Sequence, residues 1–474
     1  MINSKTLRIK YIISDYVAAN VAWFIFTFIR YHLTWDNVNM HSFTTVESYF
    51  HAEGVIYGLI AFPILMVFLG YLSGFYNKVF FKSRLQELLT TLTSTFIASM
   101  IMFFLILIND SYSERLRNYE LILTMWGCIF FFLYLVRAII TGHTKKEIDK
   151  GKLKFNTLII GNNPQTYELI GKLKQSNNYY GHHIAGIVRL PDDKDLHNSD
   201  LPIYELSEIE EVCKTLDIRA VIISPNRMDK NKLFNLINNL FVLNIPIKIS
   251  PQLYDILVTR FHNTNLFGEP LIDIAQSNMP ESQKCIKRTL DVIFSVLALI
   301  ILTPIFIITA ILIKADTKGP VFYKQQRIGQ HGIPFYIYKF RSMIDNAEKG
   351  QPQLSSENDA RITKIGKILR KYRIDETPQF WNVLRGDMSL VGPRPERQFF
   401  VDKIIEKASY YTLVYQIRPG ITSMGVVKFG YATNIEQMIE RTKYDIIYIE
   451  NMSLLVDLKI ILYTIKTVLT GKGL

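Results

Sequence analysis

Two adjacent carboxylates, Asp375 and Glu376, follow a cationic run of Arg370, Lys371 and Arg373. Nearby cations favour the charged form of an acid, so Asp375 is expected to stay ionised, below its free value of about 3.9. A desolvated, oriented carboxylate can attack phosphorus and form a covalent intermediate. A carboxylate pair can also hold Mg2+, the usual companion of a diphosphate. The arginines would add two-point contacts to phosphate oxygens. Spacing alone describes an acidic surface or a helix start more readily, because Thr377-Pro378 comes next.

The dyad lies among other polar motifs. They are VFYKQQR at Val321–Arg327, FYIYKFRSM at Phe335–Met343, GDMSLVGPRPE at Gly386–Glu396 and RPGIT at Arg418–Thr422. All of them follow an apolar run, Thr289–Ile313, long enough to span a bilayer. Lys284, Lys287 and Arg288 precede that run, and Lys314 and Lys318 follow it, so both ends belong on the cytoplasmic side. Thr303-Pro304 stands in its middle, where proline deletes a helical hydrogen bond and crowds the preceding turn. The expected element, at about residues 289–315, is a kinked helix that enters and leaves the membrane by one face. Thr303, neighbouring protein or water would then meet the freed backbone groups.

The elements that carry this region to its substrate lie upstream. Four apolar runs, near Tyr11–Phe28, Val55–Tyr76, Leu88–Ile108 and Leu121–Ile140, each approach the ~20 residues needed to cross ~30 Å of hydrocarbon. The first is the weakest, since it contains Asp15 and Asn20; it has a basic start but is long and is followed by more spans, so it reads as an anchor rather than a signal peptide. Lys5, Arg8 and Lys10 precede it, Lys78, Lys82 and Arg84 fill the second loop, and five lysines follow the fourth span. The loop from His32 to Gly54 has no Lys or Arg. This pattern puts the N-terminus and everything after residue 141 in the cytoplasm. Few ionisable groups lie inside the spans, which favours an anchor or dimerisation bundle over an ion path.

Between the spans and the motifs, FNTLIIG, Ile184–Val188, AVIIS and PIKIS read as short buried strands separated by helical stretches, the pattern of a parallel, Rossmann-like sheet. Gly161 ends the first strand, but Asn163 and Thr166 occupy the other glycine positions of a G-x-G-x-x-G turn. Side chains there hinder approach to a pyrophosphate, so a degenerate fold used for regulation or assembly is expected. Of the 474 residues, 49% are hydrophobic and 20% charged, which excludes a disordered or fibrous chain. Three scattered cysteines exclude a disulfide framework and a Cys-rich zinc site. A net charge of +12 suits cytoplasmic lysines, an anionic leaflet and phosphorylated substrates. No nucleic-acid module is recognisable, and no nucleic-acid partner is expected.

From about Lys284 to the C-terminus the chain resembles the catalytic domain of the bacterial sugar transferases, the monotopic phosphoglycosyl transferases. The likeness is carried by Lys287-Arg288, by Thr303-Pro304 in place of Ser-Pro, by YKFRSM, by R-x-x-x-x-D-E-x-P-Q, by GDMSLVGPRP and by RPGIT. The whole layout is similar to the long polyprenyl-phosphate hexose-1-phosphate transferases. The resemblance implies a four-helix transmembrane domain (1–145), a Rossmann-like α/β domain (146–275) and an α-rich transferase domain (284–474) with a re-entrant helix.

It also implies a reaction. Sugar-1-phosphate would pass from a UDP-sugar, UDP-glucose or UDP-galactose, to undecaprenyl phosphate with release of UMP. Asp375 matches the nucleophile, and Glu376 the second acid, expected to bind Mg2+ beside it or to handle a proton. Arg370 matches the arginine that holds a substrate phosphate, and Lys339, Arg341, Arg394 and Arg418 sit in motifs that bind substrate. The implied setting is the bacterial inner membrane, with the catalytic domain on the cytoplasmic face, membrane lipids as partners and a homodimer as the assembly. A membrane-anchored nucleotide sensor or scaffold with a dead transferase domain is the rival reading. The intact Arg370, Asp375 and Glu376 argue against it.

Overall fold

The computed structural model describes residues 4–33, 45–77, 79–80, 82–105, 115–150, 155–175, 182–191, 193, 201–224, 230–241, 243, 245–250, 272–273, 279–345, 347, 352–353, 359–430 and 432–469. They fall into two compact units, residues 1–154 with 280–286 and residues 155–279 with 287–474. The middle and last segments expected from the sequence therefore pack as one body.

The first unit contains helices α1 (Ser4–Leu33), α2 (Val46–Phe50), α3 (Glu53–Leu72), α4 (Arg84–Leu105) and α5 (Arg115–Asp149). Small residues let them approach closely. Ala18, Ala19 and Ala22 of α1 are buried, and a Cβ at Gly58 would stand 2.1 Å from the Trp23 ring. The outward residues, among them Ile13, Val17, Phe24, Ile60, Ile64 and Ile139, are apolar and exposed. A small or polar interior under an apolar exterior suits hydrocarbon as the surrounding solvent. α1, α3, α4 and residues 119–148 of α5 are each long and apolar enough to cross a membrane.

The interior is less neutral than the sequence led us to expect. Asp15 of α1 and Arg137 of α5 are both fully buried and paired at 2.7 Å. The Tyr76 hydroxyl donates to Asp15 at 2.6 Å, and Arg137 also donates to Thr91 at 2.9 Å. Glu87 accepts from the Thr141 hydroxyl at 2.6 Å. Every charge named here has a partner, which is how buried ionic groups persist.

In the second unit, β1 (Phe155–Ile160), α6 (Pro164–Gln175), β2 (His182–Arg189), β3 (Ile203–Glu205), α7 (Ile209–Thr215), β4 (Ala220–Ile223), α8 (Lys230–Phe241), β5 (Ile247–Ile249) and β6 (Ile272–Asp273) build a six-stranded sheet. Its order is β3-β2-β1-β4-β5-β6, with every pair parallel except β5–β6. β1, β4 and β5 fall within the FNTLIIG, AVIIS and PIKIS runs. β3, α7 and β6 are too short to leave a periodic signal. Leu413, from the last segment of the chain, packs against the core of this sheet.

Helix α9 (Glu281–Asp316) runs unbroken through Thr303-Pro304. Thr303 donates its hydroxyl to the Leu299 carbonyl at 2.7 Å, a bond that tends to bend a helix. Hairpin β7 (Phe322–Ile328) and β8 (Pro334–Phe340) follow, then α10 (Lys364–Lys371), α11 (Gln379–Arg385), β9 (Ser389–Val391), α12 (Gln398–Lys407), β10 (Gly420–Thr422), α13 (Met424–Phe429), α14 (Ile435–Glu450) and α15 (Leu454–Leu469). Two facts govern the placement of α9. Near its start, Lys287 donates to Asp457 at 2.7 Å, and Arg288 donates to the Val383 carbonyl at 2.7 Å. At its end, Asp316 accepts from the Ile365 N–H at 3.2 Å, and Arg341 donates to the Thr317 and Lys318 carbonyls, each at 2.8 Å. Both ends are thus bonded to the same polar domain, while Ile293, Phe294, Ile300, Ile301, Ile308 and Ile311 between them are exposed.

Candidate active site

The dyad is placed by a reversal between two helices. Thr363 caps α10, its hydroxyl oxygen accepting from the Gly366 N–H at 2.9 Å. The helix ends at Tyr372, and Arg373 takes a left-handed conformation (φ 60) that turns the chain sharply. One turn of 3₁₀ helix, Ile374–Glu376, then carries both acids, and Pro378 opens α11. Asn382 of α11 locks onto β8, accepting from the Tyr338 N–H at 3.1 Å and donating to the Tyr336 carbonyl at 2.7 Å. That lock brings Lys339 of β8 over the dyad.

Asp375 and Glu376 are each 7% exposed, so neither belongs to a solvated surface. Their surroundings nevertheless differ. Glu376 accepts from Lys339 at 2.7 Å and Arg394 at 3.1 Å on Oε1, and from Arg373 at 2.5 Å on Oε2. Burial pushes its carboxyl up, but Lys339, Arg373 and Arg394 together outweigh burial and hold it well below the usual range. Asp375 Oδ1 is buried and makes no hydrogen bond. Burial, then the Glu376 charge beside it, push the Asp375 carboxyl up to about 6 against the pull of Lys339, Arg373 and Arg370. The expectation that the basic run would keep Asp375 below its free value is therefore overturned. The nearby cations bond to Glu376, and desolvation dominates at Asp375.

Arg370 donates its Nε to the Ser342 hydroxyl at 2.9 Å, and its charge acts on Asp375. Among the described residues its Nη atoms make no hydrogen bond. Arg394 donates to Glu376 of the dyad. Arg341 does not. Its guanidinium closes the end of α9, against Gly319, where a Cβ would lie 1.9 Å from Nη1. The Arg418 backbone carbonyl packs against Gly392, and its charge, after burial, helps push the His331 imidazole below its ordinary range. Spacing did not single out Arg373 as a site residue, although its position three residues before Glu376 was a usable signal. No local signal marks Glu396, Arg441 or Asp445, which stand behind Arg394.

The donor set answers two ligand questions. Mg2+ keeps several waters and takes one or two carboxylates plus substrate phosphates. The unpartnered Asp375 Oδ1 fits such a position, whereas both Glu376 oxygens are already bonded to cations. At the β1–α6 turn the residues fill the space themselves. Asn163 donates to the Ser224 carbonyl at 2.9 Å and accepts from the Thr166 N–H at 3.0 Å. Asp193 accepts from the Asn162 N–H at 2.6 Å and the Leu190 N–H at 2.9 Å, putting an acid where a diphosphate would bind. The described residues of this turn do not fit a dinucleotide or coenzyme A diphosphate.

A family model described as bacterial sugar transferase matches residues 282–471. A second, described as CoA-binding domain, matches residues 71–251. The chain is 44% identical to a UDP-N-acetylgalactosamine-undecaprenyl-phosphate N-acetylgalactosaminephosphotransferase of Aeromonas hydrophila, over 48% of this chain and 54% of the relative. It is 31% identical to a UDP-glucose:undecaprenyl-phosphate glucose-1-phosphate transferase of Klebsiella pneumoniae, over 60% and 62%. It is 30% identical to galactosyl transferase CpsE of Streptococcus agalactiae, over 85% and 91%. The match thus spans little more than half of the first two relatives and most of the third.

Proposed function

The chain belongs to the bacterial sugar transferases, and from that membership we propose that it moves a sugar-1-phosphate from a UDP-sugar to undecaprenyl phosphate, releasing UMP, as a first step of surface glycan assembly. The observation that carries the reading is the contrast within the dyad. One carboxylate has an unbonded buried oxygen, and its neighbour is saturated by three cations.

Asp375 attacks the sugar-bearing phosphorus. An O–P bond to the carboxylate forms, the bridging P–O bond breaks, and UMP leaves with that electron pair. An oxygen of the lipid phosphate then attacks the phosphorus of the aspartyl phospho-sugar and returns the carboxylate. Phosphoryl transfer of this kind depends mainly on positioning and charge neutralisation. Glu376 holds Lys339, Arg373 and Arg394 as a fixed cationic cluster beside the diphosphate. Arg370 offers its Nη atoms to a phosphate oxygen. Mg2+, held by Asp375 and the substrate, would neutralise diphosphate charge. Helix α9 enters and leaves the membrane by one face, a reading supported by the hydrogen bonds from both of its ends to one domain. It sets the dyad where a polyprenyl phosphate meets a soluble sugar nucleotide, on the cytoplasmic side of the inner membrane.

The donor follows from measurement, since the three relatives carry three different sugars in their names. Purified protein with Mg2+ and undecaprenyl phosphate is offered UDP-glucose, UDP-galactose and their N-acetylated forms. UMP release with one donor, lost in Asp375→Asn, is the expected result. No release with any donor in native-like lipid would overturn the reaction. Release that survives the substitution would remove Asp375 as the nucleophile.

A further inference from the structure

We propose that Asp445 and Arg441 of α14 are positioning residues that hold the Gly392–Glu396 turn so that Arg394 meets the reacting phosphate, an inference that rests on the transferase reading. Asp445 is 3% exposed. Its Oδ1 accepts from the Gly425 N–H at 2.8 Å, and the Arg394 main-chain N–H and the Ser423 hydroxyl lie near enough to favour its charged form. Four residues earlier, one α-helical turn back on the same face, Arg441 donates to Glu396 Oε1 at 2.5 Å. Glu396 Oε2 accepts from Arg327 at 3.2 Å, and Arg327 donates to the Pro395 carbonyl at 3.1 Å as well. α14 thus holds the turn through Arg441 and the side chain of Glu396, and sets the Asp445 carboxylate beside the Arg394 main chain. From that grip the Arg394 guanidinium reaches forward to Glu376.

A merely space-filling role fits these residues poorly. Burial pushes the Asp445 carboxyl up to about 6 in spite of the Gly425 N–H and the Arg441 charge, so its charged form opposes folding unless the groups beside it offset the burial. The approach is also close. A Cβ at Gly425 would fall 2.8 Å from Arg441 Cγ and 2.9 Å from Asp445 Oδ1, so only glycine lets α13 and α14 meet there.

The test is a double-mutant cycle on the full chain in native-like lipid, with thermal unfolding recorded for every variant. Asp445→Asn, Arg394→Ala and the double variant are compared by kcat and KM for the UDP-sugar and by the yield of covalent adduct after acid quench. Displacing a phosphate-binding arginine by about 1 Å should lower kcat of Asp445→Asn by about 10–100-fold and leave KM within about threefold. In the double variant the Asp445 substitution should cost almost nothing further, because its effect runs through Arg394. Should Asp445→Asn fail to fold, Arg441→Lys and Arg441→Met replace it in the same cycle, with lysine recovering part of the rate that methionine loses. Losses that multiply independently, with wild-type turnover intact, would overturn the positioning role alone. A wild type with no turnover on any donor would overturn the transferase reading and this inference with it.

Discussion

Asp375 and Glu376 are neighbours in the chain with opposite electrostatic fates, and in the proposed reaction that difference favours Asp375 as the nucleophile. Three cations stabilise Glu376 as a permanent anion, whereas Asp375, lacking such bonds on Oδ1, carries a carboxyl pushed up to about 6. Environments that push two like groups apart separate their roles. A raised acid is neutral below its value and charged above it, and only the charged form attacks phosphorus. Adduct formation should therefore rise with pH through about 6 and level off near neutrality. Glu376 does not titrate in that window because its carboxyl is held far lower. Single-turnover rates between pH 5 and 8 check this, and a flat profile would sever the link between the Asp375 carboxyl and the attack. At this scale the sequence marked the dyad, Arg370, Lys339, Arg341 and Arg394 as candidates. The fold sets Lys339 and Arg394 on Glu376 and sends the hydrogen bonds of Arg341 to the end of α9.

Between elements, the buried Asp15–Arg137 pair links α1 to α5. Removing one member of such a pair leaves an uncompensated charge and costs about 3–5 kcal/mol, whereas replacing both by apolar groups of similar size can be neutral. Arg137→Met should lower the unfolding temperature of the full chain in detergent, and adding Asp15→Leu should restore much of it. A single variant that melts with the wild type would show that the pair contributes no stability. The pair was only half legible, because Asp15 reads as an oddity in an apolar run while its partner lies 122 residues away. The strands of the α/β domain illustrate the same limit. Phe155–Ile160 and Ala220–Ile223 stand out as buried apolar runs, whereas Ile203–Glu205 and Ile272–Asp273 are defined only by the strands they pair with.

Across the whole molecule, the controlling feature is a helix of 36 residues whose two ends bond to one polar domain. Straight, it would measure about 54 Å, well beyond the hydrocarbon thickness. Cysteines introduced at Lys284 and Lys318, in a chain with Cys128, Cys213 and Cys285 changed to serine, should both react with an impermeant maleimide applied to the cytoplasmic face of inverted vesicles. Reaction of the two from opposite faces would make α9 a full crossing and remove the shared-face geometry. Apolar run lengths, the lysine bias at their ends and the motif residues from Lys287 to Arg418 were readable because each is a property of neighbouring residues. Composition and local periodicity determine such properties before any packing occurs. The tertiary structure alone decided that Glu376 takes the cations, that Asp375 is left without a partner on Oδ1, that Asp193 fills the Gly161 turn and that α14 stands behind Arg394. Desolvation and the pairing of distant groups depend on which surfaces meet, and spacing along the chain does not carry that information.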